Sequence, residues 1–159
     1  MADGNSESSL EAGFIELASI VRALHGDWSA PAGSDYDGWT TKDLLAHLSS
    51  TEASLARIVV SSTEPPGPSA EPFDADRWNS SQVRKRKETT EQELLNEFDM
   101  GTTRLVEALS DMDLKKPVNI GRYVGTPLGE AMRNMLEHQQ HHLDDLRSAL
   151  HKHPQSQEL

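Results

Sequence analysis

The segment TPLGEAMRNMLEHQQHHLDDLR (Thr126–Arg147) carries the clearest helix pattern in this chain of 159 residues. Its apolar residues recur every three to four positions, as they do on the buried face of an amphipathic helix. These positions are Leu128, Met132, Met135, Leu143 and Leu146. The segment opens with Thr126 and Pro127, a capping residue followed by the residue favoured at the first helical position. The sequence therefore predicts a long helix over Pro127–His151.

Three earlier segments show the same periodicity, and none alternates as a strand does. They predict helices over Ser9–His25, Thr41–Ser61 and Thr90–Leu109. A shorter basic helix, Asp74–Lys87, is expected at the end of the long Pro-rich connector that follows Ser61. The predicted fold class is all-α: a four-helix bundle with a long crossover between helices 2 and 3. Residues 1–159 are expected to form a single domain with disordered tails at about 1–8 and 153–159.

Capping boxes are expected at three helix starts, the first of them formed by Ser8 and Glu11. Thr40 precedes the second long helix with Asp43 three positions later, and Thr90 precedes the third with Glu93 three positions later. In such a box the hydroxyl accepts one backbone N–H and the acidic side chain accepts another. The sequence therefore predicts that both helices begin at these threonines.

The charge of the chain excludes two classes of partner. It has 15 Lys+Arg against 26 Asp+Glu, a formal net charge of −11, and a pI near 5.0. Nucleic-acid affinity depends on neutralised phosphates, and an anionic membrane surface repels an acidic protein, so neither partner is expected. The basic run Arg84–Lys87 is interpreted as a complement to the dipole at a helix C-terminus.

The chain contains no cysteine. This removes disulfides, thiolate nucleophiles and cysteine-based zinc sites. The N-terminal stretch, Met1–Glu11, is polar and lacks the apolar core of a signal peptide. No apolar run approaches the ~20 residues that span a bilayer. A cytoplasmic protein is therefore expected.

Seven histidines are unevenly distributed along the chain. His138 and His142 are one helical turn apart and project about 40° from each other. His142 lies inside the apolar arc, His138 and His47 lie at the borders of theirs, and His141 points toward solvent. An H-x-x-x-H pair on one face has the spacing for two imidazoles to bind one cation. A third imidazole from a facing helix would give the ligand pattern of an open, catalytic zinc or nickel site.

A second interpretation competes with the metal site. A histidine at the border of a helical face is commonly a hydrogen-bonded packing residue. Two histidines at positions i and i+4 of a soluble helix also commonly have no ligand role. Spacing alone leaves both interpretations open.

Two acidic residues are further candidates. Glu52 projects onto the apolar face of the second long helix, and a buried carboxylate must be paired or protonated. It is therefore a candidate general base for catalysis or a residue that orients another side chain of the site. The alternative is a partnered structural carboxylate. Asp145 projects close to His138, where it would orient an imidazole or remain a surface charge.

Other side chains are placed by position alone. Arg122 and Tyr123 precede the last helix, where they are expected to line the mouth of a pocket. Trp39 and Trp78 are interpreted as anchors of helix starts and not as ligand contacts.

Three motifs in order resemble a known superfamily. They are GWTTKDLLAHLSSTE (Gly38–Glu52), FDADRWN (Phe73–Asn79) and the Thr126–Arg147 segment. The W-x-x-x-D-x-x-x-H and H-x-x-x-H-L patterns within them resemble the DinB-like superfamily, over nearly the whole chain. The closest likeness is to the branch containing the N-terminal domain of mycothiol-dependent maleylpyruvate isomerase.

The resemblance implies a four-helix bundle, commonly a homodimer, that holds a divalent metal ion through three side chains. By position it implies His47, His138 and His142 as the metal ligands. His141 adjoins His142 and offers H-x-x-H with His138 as an alternative pair. One ligand in that branch can be a carboxylate, whereas Glu137 projects away from the apolar arc here, so the all-histidine set fits better.

The resemblance also implies a function. The expected protein is a metal-dependent S-transferase that uses a low-molecular-weight thiol, such as mycothiol or bacillithiol, on a small-molecule substrate. Its expected cofactors are zinc or nickel and the thiol, and a metal-dependent hydrolase is the variant within this class. The alternative is a non-catalytic bundle that binds or sequesters a small molecule. Catalysis requires an open metal position and a pocket that reaches it.

Overall fold

The structure is a computed structural model that describes the backbone of residues 2–65 and 73–157 and the side chains of 9–65 and 73–151. Its helices are α1 (Ala2–Arg22), α2 (Thr41–Ser61), α3 (Ala75–Lys85), α4 (Glu91–Leu109) and α5 (Leu128–Gln157). Within the described ranges there is no strand, and pairing is limited to two isolated bridges. None of the described helices is long and apolar enough to cross a membrane. The predicted all-α class is confirmed.

The four long helices form a closed ring of neighbours. α1 packs against α4 and α5, and α2 packs against the same two helices, with its longest contact along α4. The short helix α3 lies in the crossover and packs against α2. The core between the helices contains the fully buried side chains Phe14, Leu45, Leu48, Leu55, Phe98, Leu105, Met132 and Leu146. The structure is therefore the predicted bundle, with the crossover between the second and third long helices.

The capping boxes predicted at Thr40 and Thr90 are present, whereas α1 begins at Ala2, so Ser8 lies inside that helix and not at its start. The Thr40 hydroxyl accepts the backbone N–H of Asp43, whose carboxylate accepts the N–H of Thr40. Thr90 and Glu93 make the same pair of bonds at the start of α4. Because each box satisfies two N–H groups that have no partner inside the helix, it fixes the residue at which the helix begins.

The first and last helices differ from their predicted limits. α1 ends at Arg22 and not at His25, because the chain turns at Gly26, whose φ is +146°. A Cβ at Gly26 would lie 2.8 Å from the carbonyl oxygen of Leu150, so only glycine permits this approach. α1 begins at Ala2 and not at Ser9, and α5 ends at Gln157 and not at His151, so both helices extend further toward the chain ends than predicted. The tails at about 1–8 and 153–159 have side chains outside the described residues, so their predicted disorder stays a prediction.

The connector between α4 and α5 (residues 110–127) is held in place by backbone and side-chain bonds. The Val118 N–H donates to the carbonyl of Thr126 at 3.0 Å, and the Gly125 N–H donates to the carbonyl of Val118 at 2.9 Å. The Asn119 amide donates to the carbonyl of Ser61 at 2.8 Å, at the end of α2. These bonds fix residues 120–123 beside α2.

Candidate metal centre

Three histidines from two helices meet inside the bundle. His47 comes from α2, and His138 and His142 come from successive turns of α5. One nitrogen from each lies within 4.8 Å of the others, and the Nε2 atoms of His138 and His142 are 2.9 Å apart. Ligand nitrogens in a tetrahedral zinc site lie roughly 3.3 Å apart, as bonds of about 2.0–2.1 Å require. These three residues, the histidine cluster, are therefore close enough to share one ion.

The surroundings keep all three imidazoles neutral. Burial, followed by repulsion from His142 and His138, lowers the pKa of His47 to about 3. Burial, followed by repulsion from His138 and His141, lowers the pKa of His142 to about 4. The pKa of His138 is lowered by burial and then by Arg122 and His141. Neutral imidazole is the form that binds a metal ion, so no proton has to be displaced at neutral pH.

One atom of the cluster is a buried nitrogen without a partner. His47 is 3% exposed, and its Nδ1 makes no hydrogen bond within the described part of the chain. Buried polar atoms are almost always satisfied, and bonding to a metal ion is one way to satisfy a neutral imidazole nitrogen. Three neutral imidazoles suit zinc, nickel or another divalent transition ion. The residues present therefore fit the metal that the resemblance implies.

A hydrogen-bonded pair outside the cluster sets the tautomer of His142. The Tyr36 hydroxyl lies 2.6 Å from Nδ1 of His142 and donates its only proton to Asp145 at 2.5 Å. The proton between Tyr36 and His142 must therefore belong to Nδ1. This leaves the lone pair on Nε2, the atom that faces His138. Metal-bound histidines typically donate their other N–H in this way.

The structure distinguishes His142 from its neighbour. His141 is 72% exposed, lies 3.6 Å from Asp145 and is outside the cluster, so the alternative pair with His138 is not formed. Asp145 does orient an imidazole, but it acts on His142 through Tyr36 and not on His138. Sequence reasoning missed Tyr36 because it lies between α1 and α2, where no helical period reveals its direction.

Glu52 is fully buried at 0% exposure, among three helices. Its carboxylate accepts the Thr102 hydroxyl of α4 at 2.6 Å and the Gln139 amide of α5 at 3.0 Å. Burial raises the pKa of Glu52 to about 7, against these two hydrogen bonds, which lower it. Glu52 is absent from the described lining of the cavity beside the cluster. This arrangement favours the partnered structural carboxylate over the general base, and the catalytic role stays a prediction.

A cavity of about 440 Å³ reaches the cluster at His47 and His138. It lies between α2, α3, α5 and the connector 110–127. Its other described lining residues are Thr51, Ala53, Ser54, Arg57, Ile58, Phe73, Ala75, Trp78, Asn79, Ile120, Gly121, Arg122, Tyr123 and Met135. Arg122 and Tyr123 line it as expected, whereas Trp78, interpreted as a helix anchor, is also a cavity residue. Arg57 was missed, because its exposure to the cavity depends on how the crossover folds.

The basic run near the end of α3 is engaged with acidic neighbours. Arg86 pairs with Glu97 at 2.6 Å, and Lys87 pairs with Asp43 at 3.0 Å. These pairs tie the crossover to α4 and to the start of α2. The run therefore supports the fold at this end of the bundle.

Three histidines meet on the inner faces of two helices, and this arrangement defines a helical-bundle protein with a candidate metal centre. A family model described as "Mycothiol maleylpyruvate isomerase N-terminal domain" matches residues 10–146. Because this match covers most of the chain, the protein belongs to that family, as the sequence motifs predicted. No curated protein and no solved structure matches the chain.

Proposed function

We propose that this protein is a metal-dependent S-transferase that joins a low-molecular-weight thiol to a small molecule. The observation that carries the proposal is the convergence of three neutral imidazoles, two of which, His47 and His138, line a cavity. The family description names mycothiol, which is the basis for expecting a thiol as the second substrate. The homodimer, the zinc or nickel ion and the thiol all belong to this proposal.

In this scheme His47, His138 and His142 hold the ion. A divalent ion bound there supplies Lewis acidity, which lowers the pKa of a thiol toward neutrality. Three protein ligands are the number found in catalytic sites, in which one position remains for a substrate. The chain has no cysteine, so the reacting sulfur comes from a separate molecule.

The protein's own side chains position the reactants. Tyr36 and Asp145 fix the ring of His142, and His47 and His138 border the cavity directly. Apolar residues of the cavity, such as Ile58 and Met135, reduce competition from water. The thiol loses its S–H proton to water, and the sulfur then donates an electron pair to an electrophilic carbon of the molecule held there. That carbon releases a leaving group together with the electron pair of the broken bond.

Metal content is the first test. Untagged wild-type protein is compared by mass spectrometry with His47→Ala, His138→Ala and the matched control His141→Ala, whose side chain is exposed. We expect about one divalent ion per chain in the wild type and in His141→Ala, as a single three-ligand site requires. Both cluster variants should lose it. Absence of metal from wild-type protein incubated with zinc would overturn the proposal and favour the non-catalytic binding bundle.

Thiol transfer is the second test. Metal-loaded wild-type protein is mixed with mycothiol or bacillithiol and the electrophile monochlorobimane, and the fluorescent thioether is measured. The metal-loaded wild type should form the thioether faster than the His138→Ala protein, which lacks one of the three proposed metal ligands. A loaded protein that accelerates no conjugation, and instead consumes electrophiles with water alone, would contradict the transferase and support the hydrolase.

A further inference from the structure

The cavity beside the histidine cluster has a charge opposite to that of the molecule. Its described lining contains Arg57 from α2 and Arg122 from the connector 110–127, and no aspartate or glutamate. The whole chain has 26 acidic residues against 15 lysines and arginines. The two cluster histidines in the lining, His47 and His138, both have lowered pKa values and add no positive charge at neutral pH. A cavity lined by one sign of charge attracts the opposite ion, here an anion.

Both arginines have hydrogen-bond donors that no described residue uses. Within the described ranges neither makes a hydrogen bond or ion pair, whereas Arg22 and Arg86 are each paired with a carboxylate. Arg122 lies with its Cζ 5.7 Å from the ring centroid of Tyr123, a contact that leaves its N–H groups available. The planar guanidinium group of arginine matches a carboxylate with two parallel hydrogen bonds.

The remaining wall of the cavity is largely apolar and aromatic. Phe73, Trp78 and Tyr123 contribute rings, and the Phe73 and Trp78 centroids are 6.2 Å apart. Phe73 is 44% exposed, so its ring is accessible to a molecule in the cavity. Aromatic faces favour flat ring systems, and a volume of about 440 Å³ lies within the range of small-molecule sites.

We propose that this cavity binds an aromatic carboxylate, with Arg57 and Arg122 holding the carboxylate group and Trp78 contacting the ring. The inference rests on the proposed function for the fate of the bound molecule, because it names the class of substrate presented to the thiol. Binding itself depends on residues outside the histidine cluster. The two proposals can therefore fail separately.

Calorimetric titration with 1-naphthoate tests the inference on metal-free and zinc-loaded protein. We expect 1-naphthoate to bind both forms, and the neutral analogue 1-naphthalenemethanol to bind at least about 10-fold more weakly, since hydrogen bonds to charged groups contribute most. Arg57→Gln and Arg122→Gln should each weaken naphthoate binding by about 10-fold and leave the neutral analogue unchanged. Trp78→Leu should weaken both ligands.

Arg104→Gln is the matched control, because Arg104 is an exposed residue of α4 outside the cavity lining and its replacement removes the same charge. It should bind naphthoate as the wild type does. An equal loss in Arg104→Gln would show a general charge effect and overturn the inference. Binding to the zinc-loaded form alone, unaffected by either cavity arginine, would show that the carboxylate contacts the ion and would also overturn it. Naphthoate binding by a protein that takes up no zinc would overturn the proposed function alone.

Discussion

Tyr36 links a candidate metal ligand to a carboxylate through two short hydrogen bonds. The arrangement holds the His142 ring in one orientation and transmits the negative charge of Asp145 toward it. A ligand supported in this way is a better electron donor, and removal of the support typically costs 10–100-fold in metal affinity. If the cluster binds a metal ion as proposed, we expect its affinity to depend on Tyr36, which is not one of the three ligands.

Tyr36→Phe tests this dependence. The substitution removes the hydroxyl and keeps the ring, so we expect zinc affinity to fall by roughly 10–100-fold. Competition titration with a chromophoric chelator measures the change. Tyr123→Phe removes a hydroxyl from a cavity residue that makes no hydrogen bond to the cluster within the described part of the chain, and it should retain wild-type affinity. Equal affinities in all three proteins would remove the supporting role of Tyr36.

The sequence alone predicts that the three histidines point into the bundle, but it does not predict the residues that surround them. His47, His138 and His142 lie on strongly periodic helices, so the rotation per residue predicts that their side chains point inward. Tyr36 and Arg57 could not be found in this way. The position of Tyr36 is set by the chain between α1 and α2, and the surroundings of Arg57 are set by the crossover.

Among the helices, α2 and α4 make the closest approach. Gly101 of α4 faces the backbone of α2, where an added Cβ would lie 2.9 Å from the Ala53 nitrogen and 2.9 Å from the Glu52 carbonyl carbon. Backbone atoms cannot rotate away as a side chain can. This contact therefore requires glycine and fixes the spacing of α2, the helix that carries His47.

Gly101→Ala should lower the free energy of unfolding by about 1–3 kcal/mol, the usual cost of inserting a methyl group into a packed core. Gly13→Ala is the matched control in α1, because its Cβ would meet only the flexible end of Leu136. Replacing a helical glycine by alanine otherwise gains roughly 0.5–1 kcal/mol, so Gly13→Ala should be neutral or stabilising. Urea denaturation measures both, and a stabilised Gly101→Ala protein would contradict the close approach.

The limits of the helices show where local pattern is sufficient. Thr40 and Thr90 begin α2 and α4 as predicted, since a capping box is complete within four residues. The end of α1 could not be predicted, because the turn at Gly26 is shaped by contact with Leu150, which is distant in sequence.

For the whole molecule, Glu52 couples stability to pH. It joins α2 to α4 and α5 through Thr102 and Gln139, neither of which titrates. Burial raises the pKa of Glu52 to about 7, from the usual 4.5 of a glutamate in water. Between these values the folded state holds a proton that the unfolded state releases. The contribution of Glu52 is therefore complete below about pH 4.5 and is lost as the pH rises through about 7.

Glu52→Gln removes this titration and keeps the shape. The wild type should lose stability relative to Glu52→Gln as the pH rises from 5 to 8. The difference between their free energies of unfolding should change by on the order of 2–3 kcal/mol in favour of the variant. Urea denaturation of both metal-free proteins across this pH range measures the difference. The histidines titrate in both proteins, so their contributions cancel. Glu107→Gln, at an exposed position of α4, should follow the wild type. Parallel curves for Glu52→Gln and wild type would contradict the raised pKa.

The origin of the cavity's lining residues has a consequence for how this protein can change. Those residues come from α2, from Phe73 and α3 in the crossover, from α5 and from the connector 110–127, and none of the described ones comes from α1 or α4. α1 and α4 thus support the fold, whereas α2, α5 and the two connecting segments also form the cavity. We expect substitutions on the outer faces of α1 and α4 to leave ligand binding and catalysis unchanged. The crossover supplies lining residues but none of the cluster histidines. Substitutions in it can therefore change which ligand the cavity binds while the three histidines stay in place.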